Sequence, residues 1–180
     1  MNQNKKNILI TGNRKGIGRY LSEYYLEYGH NVIGCSRSDS DLEHQNYVHF
    51  LCDVKIEKEV KRTVKEAKKS FGNVDVLINN AGKASLNHSI LTPTKTIKDL
   101  FETNYLGSFL FARECSKQMI KKKWGRIINF STIAVPLDLE GEMAYASSKS
   151  AIEKMGKILS KELSLSLIHI SEPTRPLYIS

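Results

Sequence analysis

The sequence has little cysteine, no long apolar run and fewer acids than bases, and each shortage narrows what the chain can be. Its three cysteines, Cys35, Cys52 and Cys115, are odd in number and widely spaced. That pattern excludes a disulfide framework and contains no paired metal or redox motif, so no metal site is expected. Cys35 and Cys52 fall in strand-like runs and read as buried, reduced core residues. No apolar stretch approaches the ~18 residues of a membrane span. The N-terminal "MNQNKKNILITG" starts basic, but its apolar part is too short for a signal peptide and runs into a glycine turn. The cytoplasm is the expected compartment, and no membrane partner is expected. Acidic residues number 19 against 27 basic ones, a net charge of +8. Runs such as "KEAKKS" and "KKKW" read as solvated helix faces and helix C-termini, where lysine suits the helix dipole. No nucleic-acid motif accompanies them, so nucleic acid is not an expected partner. Internal repeats and linkers are absent as well.

The 180 residues, 41% hydrophobic and 26% charged, suit one domain with a sizeable core. Two kinds of segment alternate along them. "NILIT", "NVIGCS", "YVHFLC", "VDVLINNAG" and "GRIINFS" are short apolar runs that read as buried strands. Between them lie helical patterns: apolar residues at 17, 21, 24, 25 and 28, then "EKEVKRTVKEAKKSFG" closed by Gly72, then segments around 94–103 and 104–123. A further helix is predicted from 143 to about 163. Strands alternating with helices predict an α/β fold, a buried parallel sheet with helices on both faces. Ligands in such sheets bind outside the carboxyl ends of the strands, so the residues just after each strand hold the interest.

The first such turn is "TGNRKGIG", with Gly12, Gly16 and Gly18, and a helix follows directly. Glycines permit the tight turn and the close approach of a pyrophosphate, whose charge the helix N-terminus favours. The spacing is Gly-x-x-x-Gly-x-Gly and not the commoner Gly-x-Gly-x-x-Gly. The second strand ends "IGCSRS", placing Ser36 and Arg37 where a free ribose 2′-hydroxyl would usually meet a carboxylate. Arginine grips a 2′-phosphate bidentately, and Arg14 and Lys15 add positive charge within the loop. NADP(H) is accordingly expected in preference to NAD(H).

Five motifs stand in order at the ends of the expected elements: "TGNRKGIG" at 11–18, "DV" at 53–54, "NNAG" at 79–82, "NYLG" at 104–107 and "YASSK" at 145–149. In these the chain resembles the short-chain dehydrogenase/reductase family, from residue 5 to about 164. The last motif alone means nothing, because chance yields about one Tyr-x-x-x-Lys in a chain with this many tyrosines and lysines. The resemblance implies a Rossmann-type, doubly wound parallel sheet and a hydride transfer between NADP(H) and a carbonyl or secondary alcohol. Gly12, Arg14, Lys15, Gly16, Ile17 and Gly18 would form the phosphate loop, with Ser36 and Arg37 at the ribose. Asp53 and Val54 would border the adenine ring, while Asn79, Asn80, Ala81 and Gly82 would shape the wall beside the cofactor and tie strands together. Asn104 would kink a helix and hold a water in the proton relay.

Tyr145 and Lys149 would be the proton donor and the cation that tunes it. A phenol has a reference pKa near ~10, and a nearby ammonium stabilises the phenolate. Lys149 would also hold the nicotinamide ribose. The family's usual serine stands 13 positions before the tyrosine; here that position is Thr132, with Ser131 as the fallback in the neighbouring register. A 3-oxoacyl-carrier-protein reductase is one sub-type the resemblance allows, since a basic surface suits an acidic carrier; the intact protein is expected to be a homo-oligomer. The alternative is a non-catalytic cofactor-binding relative, whose usual signature is loss of the Tyr–Lys pair.

Beyond Ser164 the text changes character. "LSLIHISEPTRPLYIS" resembles a translated sequencing-library adapter over residues 165–175. Residues 1–164 are therefore expected to be the native, cofactor-binding domain and residues 165–180 a foreign tail. On that expectation strands six and seven are missing, the sheet is incomplete at its C-terminal edge, and the fragment is itself inactive.

Overall fold

The computed structural model describes residues 5–164 and 168–171. Five strands arise from the apolar runs: β1 (Asn7–Thr11), β2 (Asn31–Ser36), β3 (Tyr47–Leu51), β4 (Val76–Asn79) and β5 (Gly125–Asn129). The helices are α1 (Gly16–Glu27), α2 (Glu57–Phe71), α3 (Thr94–Leu100), α4 (Gly107–Lys122), a short α5 (Ala134–Leu137) and α6 (Met143–Leu163). A sixth strand, β6 (Ile168–Ser171), completes a parallel sheet of order β3-β2-β1-β4-β5-β6. The chain thus winds outward twice from a switch point between β1 and β4, where a crevice opens at the strands' carboxyl ends.

The expectation that strand six is missing is corrected here. Ile168–Ser171 pairs in parallel with β5, Gly125 opposite Ile168 and Ile127 opposite Ile170. A parallel neighbour needs only a short β-capable run and a crossover helix, which α6 supplies. β6 and not β5 is therefore the edge of the described sheet.

Alternation along the strands divides the core in two. Leu9, Ile33, Leu77 and Ile127 point to one side, where they meet Val60 and Val64 of α2, Phe111 and Met119 of α4 and Leu159 of α6. Ile8, Ile10, Val32 and Ile78 point to the other, against Leu21, Tyr25 and Leu26 of α1. This division follows from right-handed crossovers: the connection from β1 to β2 runs toward the β3 edge and lies on one face, while those from β3 to β4, β4 to β5 and β5 to β6 run the opposite way and lie on the other. The three cysteines are free and buried, Cys35 and Cys52 as expected.

Helix α2 has charges suited to both of its ends. α2 carries Glu57 and Glu59 in its first turn and Lys68 and Lys69 in its last, matching the macrodipole at both ends. The periodic segments around 94–103 and 104–123 are one helical run interrupted by a π-helical turn at Phe101–Leu106. Asn104 lies within that turn, fully buried. A π turn accommodates an inserted residue in the helix, and Asn104, expected to kink a helix, lies within it.

Candidate active site

The carboxyl ends of β1, β2, β4 and the segment after β3 surround a cavity of about 430 Å³. Eleven of the expected cofactor residues line it: Gly12, Arg14, Lys15, Gly16, Ser36, Arg37, Asp53, Val54, Asn80, Ala81 and Gly82. Ser38, Cys52, Lys55, Lys83 and Thr103 join them. Each of these adjoins an expected residue in sequence, Thr103 standing next to Asn104 in the π turn, and that adjacency is the one signal that could have found them. Ile17 is not among the lining residues, and its side chain is exposed.

Gly12 and Gly18 explain the loop's sequence. Gly12 has φ +68°, and a Cβ there would lie 2.8 Å from Ala81 Cα. A Cβ on Gly18 would lie 2.5 Å from Asn80 Nδ2 and 2.7 Å from the Gly12 oxygen. Gly18 is thus a packing residue beneath the loop and does not line the cavity. The turn of α1 that follows has no side-chain cap and no acidic residue, and Gly16 at its start lines the cavity, so its free N–H groups and partial positive charge would favour an anion there. Arg14, Lys15 and Arg37 bring the side-chain cations for phosphate groups to the same cavity. These features, a tight loop in which Gly12 and Gly18 leave no room for a Cβ while Gly16 opens onto the cavity, and a cationic rim, fit a phosphorylated dinucleotide.

The "NNAG" segment ties the sheet together at the switch point. Asn80 donates from Nδ2 to the Thr11 oxygen at 2.9 Å and the Gly12 oxygen at 3.1 Å. Thr11 Oγ1 in return accepts the N–H groups of Asn80 and Ala81. Asn79 donates to Asn129 Oδ1 at 2.9 Å, joining β4 to β5. Asp53 caps its own turn, accepting the Lys55 N–H, while its own N–H bonds Glu59. Lys55 and Lys83 both pair with Asp99, whose carboxyl they hold down to about 2.

On α6, Tyr145 and Lys149 stand one turn apart on the same face. Lys149 is 6% exposed, and its ammonium donates to the Phe130 oxygen at 2.9 Å. Burial pushes its pKa down to about 8. A Cβ on Gly82 would lie 3.5 Å from Lys149 Nζ, so the ammonium stands beside the cavity wall. Asn104 bridges the two sides: its Nδ2 donates to Ser148 Oγ at 2.8 Å and to the Lys83 oxygen at 2.9 Å, while Oδ1 accepts the Lys83 N–H. Both amide hydrogens are therefore used within the protein, and only the second lone pair of Oδ1 remains for a water.

The two hydroxyl candidates part company after β5. Ser131 donates to the Glu153 carboxylate on α6. Thr132 Oγ1 accepts the Ala134 N–H at 3.3 Å, within the turn that starts α5.

Comparison with known proteins agrees with this geometry. Residues 6–173 match the sequence profile of the short chain dehydrogenase family. The chain belongs to that family. It is 33% identical to an uncharacterized oxidoreductase of Schizosaccharomyces pombe over 87% of this chain and 54% of that protein. With a 3-oxoacyl-[acyl-carrier-protein] reductase of Vibrio cholerae it shares 30% identity over 91% of this chain and 69% of the reductase. The crystal structure of ElxO with NADP bound superposes with a TM-score of 0.87 at 30% identity, covering 92% of this chain and 71% of that one. The chain spans little more than half the length of its S. pombe relative. Among the described residues, no helix of this short-chain dehydrogenase is long and apolar enough to cross a membrane, and no group of acidic, histidine or cysteine side chains could hold a metal ion.

Proposed function

We propose that the chain is the cofactor-binding and catalytic part of an NADP(H)-dependent oxidoreductase that interconverts a carbonyl and a secondary alcohol. The observation that carries this reading is the buried ammonium of Lys149. It stands one helical turn from Tyr145 and directly behind Gly82, which lines the cavity that the glycine loop enters. Arg14, Lys15 and Arg37 on the cavity rim favour the phosphorylated form of the dinucleotide, as does the likeness to an NADP-bound structure.

When bound, the cofactor supplies or accepts the hydride. What the protein must manage is the proton. Tyr145 gives its phenolic proton to the alkoxide that develops on a reduced carbonyl, and takes it back in the reverse direction. The Lys149 ammonium stabilises the phenolate left behind; with its pKa near 8 it carries that charge at neutral pH and loses it as the pH rises through 8. The Phe130 carbonyl holds the ammonium in place, and Lys149 is also the residue to hold the nicotinamide ribose. Thr132, already accepting one backbone N–H, has its hydroxyl hydrogen for the substrate oxygen, whereas Ser131 has given its own to Glu153. Asn104 fixes α6 against the Lys83 backbone and offers one lone pair to a relay water.

A 3-oxoacyl thioester is the substrate class to test first, given the likeness to a carrier-protein reductase and a net charge of +8 that suits an acidic carrier. We place the enzyme in the cytoplasm, as a homo-oligomer, with residues 1–164 carrying the function. The foreign origin of residues 165–180 is checked by reading the gene onward from codon 164. The decisive experiment is Tyr145→Phe in the intact protein that carries residues 1–164, assayed by NADPH consumption with a 3-oxoacyl thioester and by NADPH binding. Turnover is expected to vanish while the dissociation constant for NADPH changes little. A variant that keeps most of its turnover refutes the mechanism.

A further inference from the structure

A glycine in a central strand weakens the strand, and it usually marks a close approach. β2 contains one, Gly34, between β1 and β3. A Cβ there would lie 2.1 Å from Asn13 Nδ2 and 2.5 Å from the Tyr47 hydroxyl. The vacated space holds a chain of hydrogen bonds that crosses the sheet. Asn13, fully buried between Gly12 and Arg14 of the glycine loop, donates to the Tyr47 hydroxyl at 2.7 Å. That hydroxyl lies 2.9 Å from His49 Nδ1, two residues along β3 and on the same face. His49 Nε2 lies 3.1 Å from the Ser38 oxygen and 3.2 Å from Ser36 Oγ. Ser36 Oγ itself donates to the Ser38 oxygen.

The donors fix the direction of this chain. Asn13 Nδ2 spends one hydrogen on Ser22 and the other on Tyr47. The Tyr47 hydroxyl, accepting there, gives its own hydrogen to His49 Nδ1. His49 Nε2 then carries the ring's hydrogen and donates it to the Ser38 carbonyl. Burial lowers the pKa of His49, consistent with the neutral ring this pattern requires. Both ends of the chain reach the same cavity: Gly12 and Arg14 flank Asn13, and Ser36 and Ser38 flank Arg37.

The geometry points to His49 as a positioning residue for nucleotide selectivity: from β3 it holds the Ser36–Ser38 turn, and so Arg37, in register with the glycine loop at the 2′-phosphate site. His49 does not itself line the cavity. It acts through the turn that presents Arg37, and the inference rests on the NADP(H) reading above.

The test is fluorescence titration of the full chain with NADPH and with NADH, in wild type, His49→Ala, His49→Gln and Tyr47→Phe, with Tm measured for each. His49→Ala is expected to weaken NADPH about five- to tenfold, the worth of one or two neutral hydrogen bonds, and NADH less than twofold. Tyr47→Phe frees the ring and shifts the same ratio in the same direction. His49→Gln, whose amide offers an acceptor beside a donor, recovers most of the preference. If His49→Ala does not fold, the Tyr47→Phe and His49→Gln ratios decide. An unchanged NADPH-to-NADH ratio, or an equal loss of both ligands, overturns the role of His49 while leaving the cofactor reading intact. A wild-type chain that shows no preference for NADPH overturns both, and that failure is visible before any variant is made.

Discussion

Replacing Lys149 with methionine is expected to stabilise the protein at neutral pH while destroying its activity. Burial takes the ammonium from 10.5 to about 8, and at ~1.36 kcal/mol per pH unit that drop corresponds to about 3 kcal/mol. Below pH 8 both the folded and the unfolded chain hold the proton, so the folded state bears the whole cost of a buried charge. Between 8 and 10.5 the unfolded chain still holds a proton that the folded one has released, so this residue's contribution to stability rises with pH across that window. Above 10.5 the cost is gone. Methionine keeps the length and apolar stem but leaves the Phe130 carbonyl without its 2.9 Å partner, a loss of about 1 kcal/mol. The variant should therefore be more stable than wild type by about 2 kcal/mol at pH 7 and less stable by about 1 kcal/mol above pH 10.5. Urea unfolding of both proteins at several pH values measures the difference, in which the titration of shared groups largely cancels. A difference that stays constant from pH 7 to 11, or a variant weaker than wild type at pH 7, would refute the reasoning.

Three further outcomes follow from the site. Arg37→Ala should weaken NADPH by about 10- to 100-fold, the range of a charged hydrogen bond, and barely affect NADH; equal affinities before and after would remove Arg37 from the phosphate site. Gly18→Ala forces a methyl group against Asn80 and the Gly12 carbonyl, at a cost of about 1–3 kcal/mol. Thermal unfolding should show a loss of several degrees, and an unchanged Tm would mean the loop is not packed as described. Thr132→Ala should reduce turnover far more than Ser131→Ala, which should lower stability by breaking the bond to Glu153; the reverse order in a steady-state assay would make Ser131 the substrate's partner.

What the sequence could disclose depended on how far apart the interacting residues lie. β1, β2 and β4 are near-continuous apolar runs because both faces of the central strands are buried, and β3 and β5 keep enough of that pattern around His49 and Arg126, so five strands and their order of appearance were readable. The four-residue α5 was not, since a single turn carries no periodicity. The π turn was read as a boundary between two helices, because an inserted residue breaks the 3.6-residue pattern without ending the helix. At the tail, the adapter-like text outweighed the local pattern of "IHIS", which still pairs as β6.

The site divides in the same way. Gly12, Arg37, Asn80 and Lys149 were readable because each sits in a local motif at the end of an element. Ile17 follows the same motif yet points to solvent, since a helix turns its second residue away from the loop it closes. The Asn13–Tyr47–His49 chain left no mark in any single segment. Its members are 34 and 2 residues apart, and each looks like an ordinary loop or strand residue. Only Gly34 signalled it, and in the sequence that glycine reads as a weak point in "NVIGCS". In the folded sheet it is the gap that lets a side chain of the glycine loop reach the third strand. A central-strand glycine beside a phosphate loop is therefore better read as space reserved for a neighbour than as a defect, and Gly34→Ala should cost this protein its loop geometry before it costs the strand.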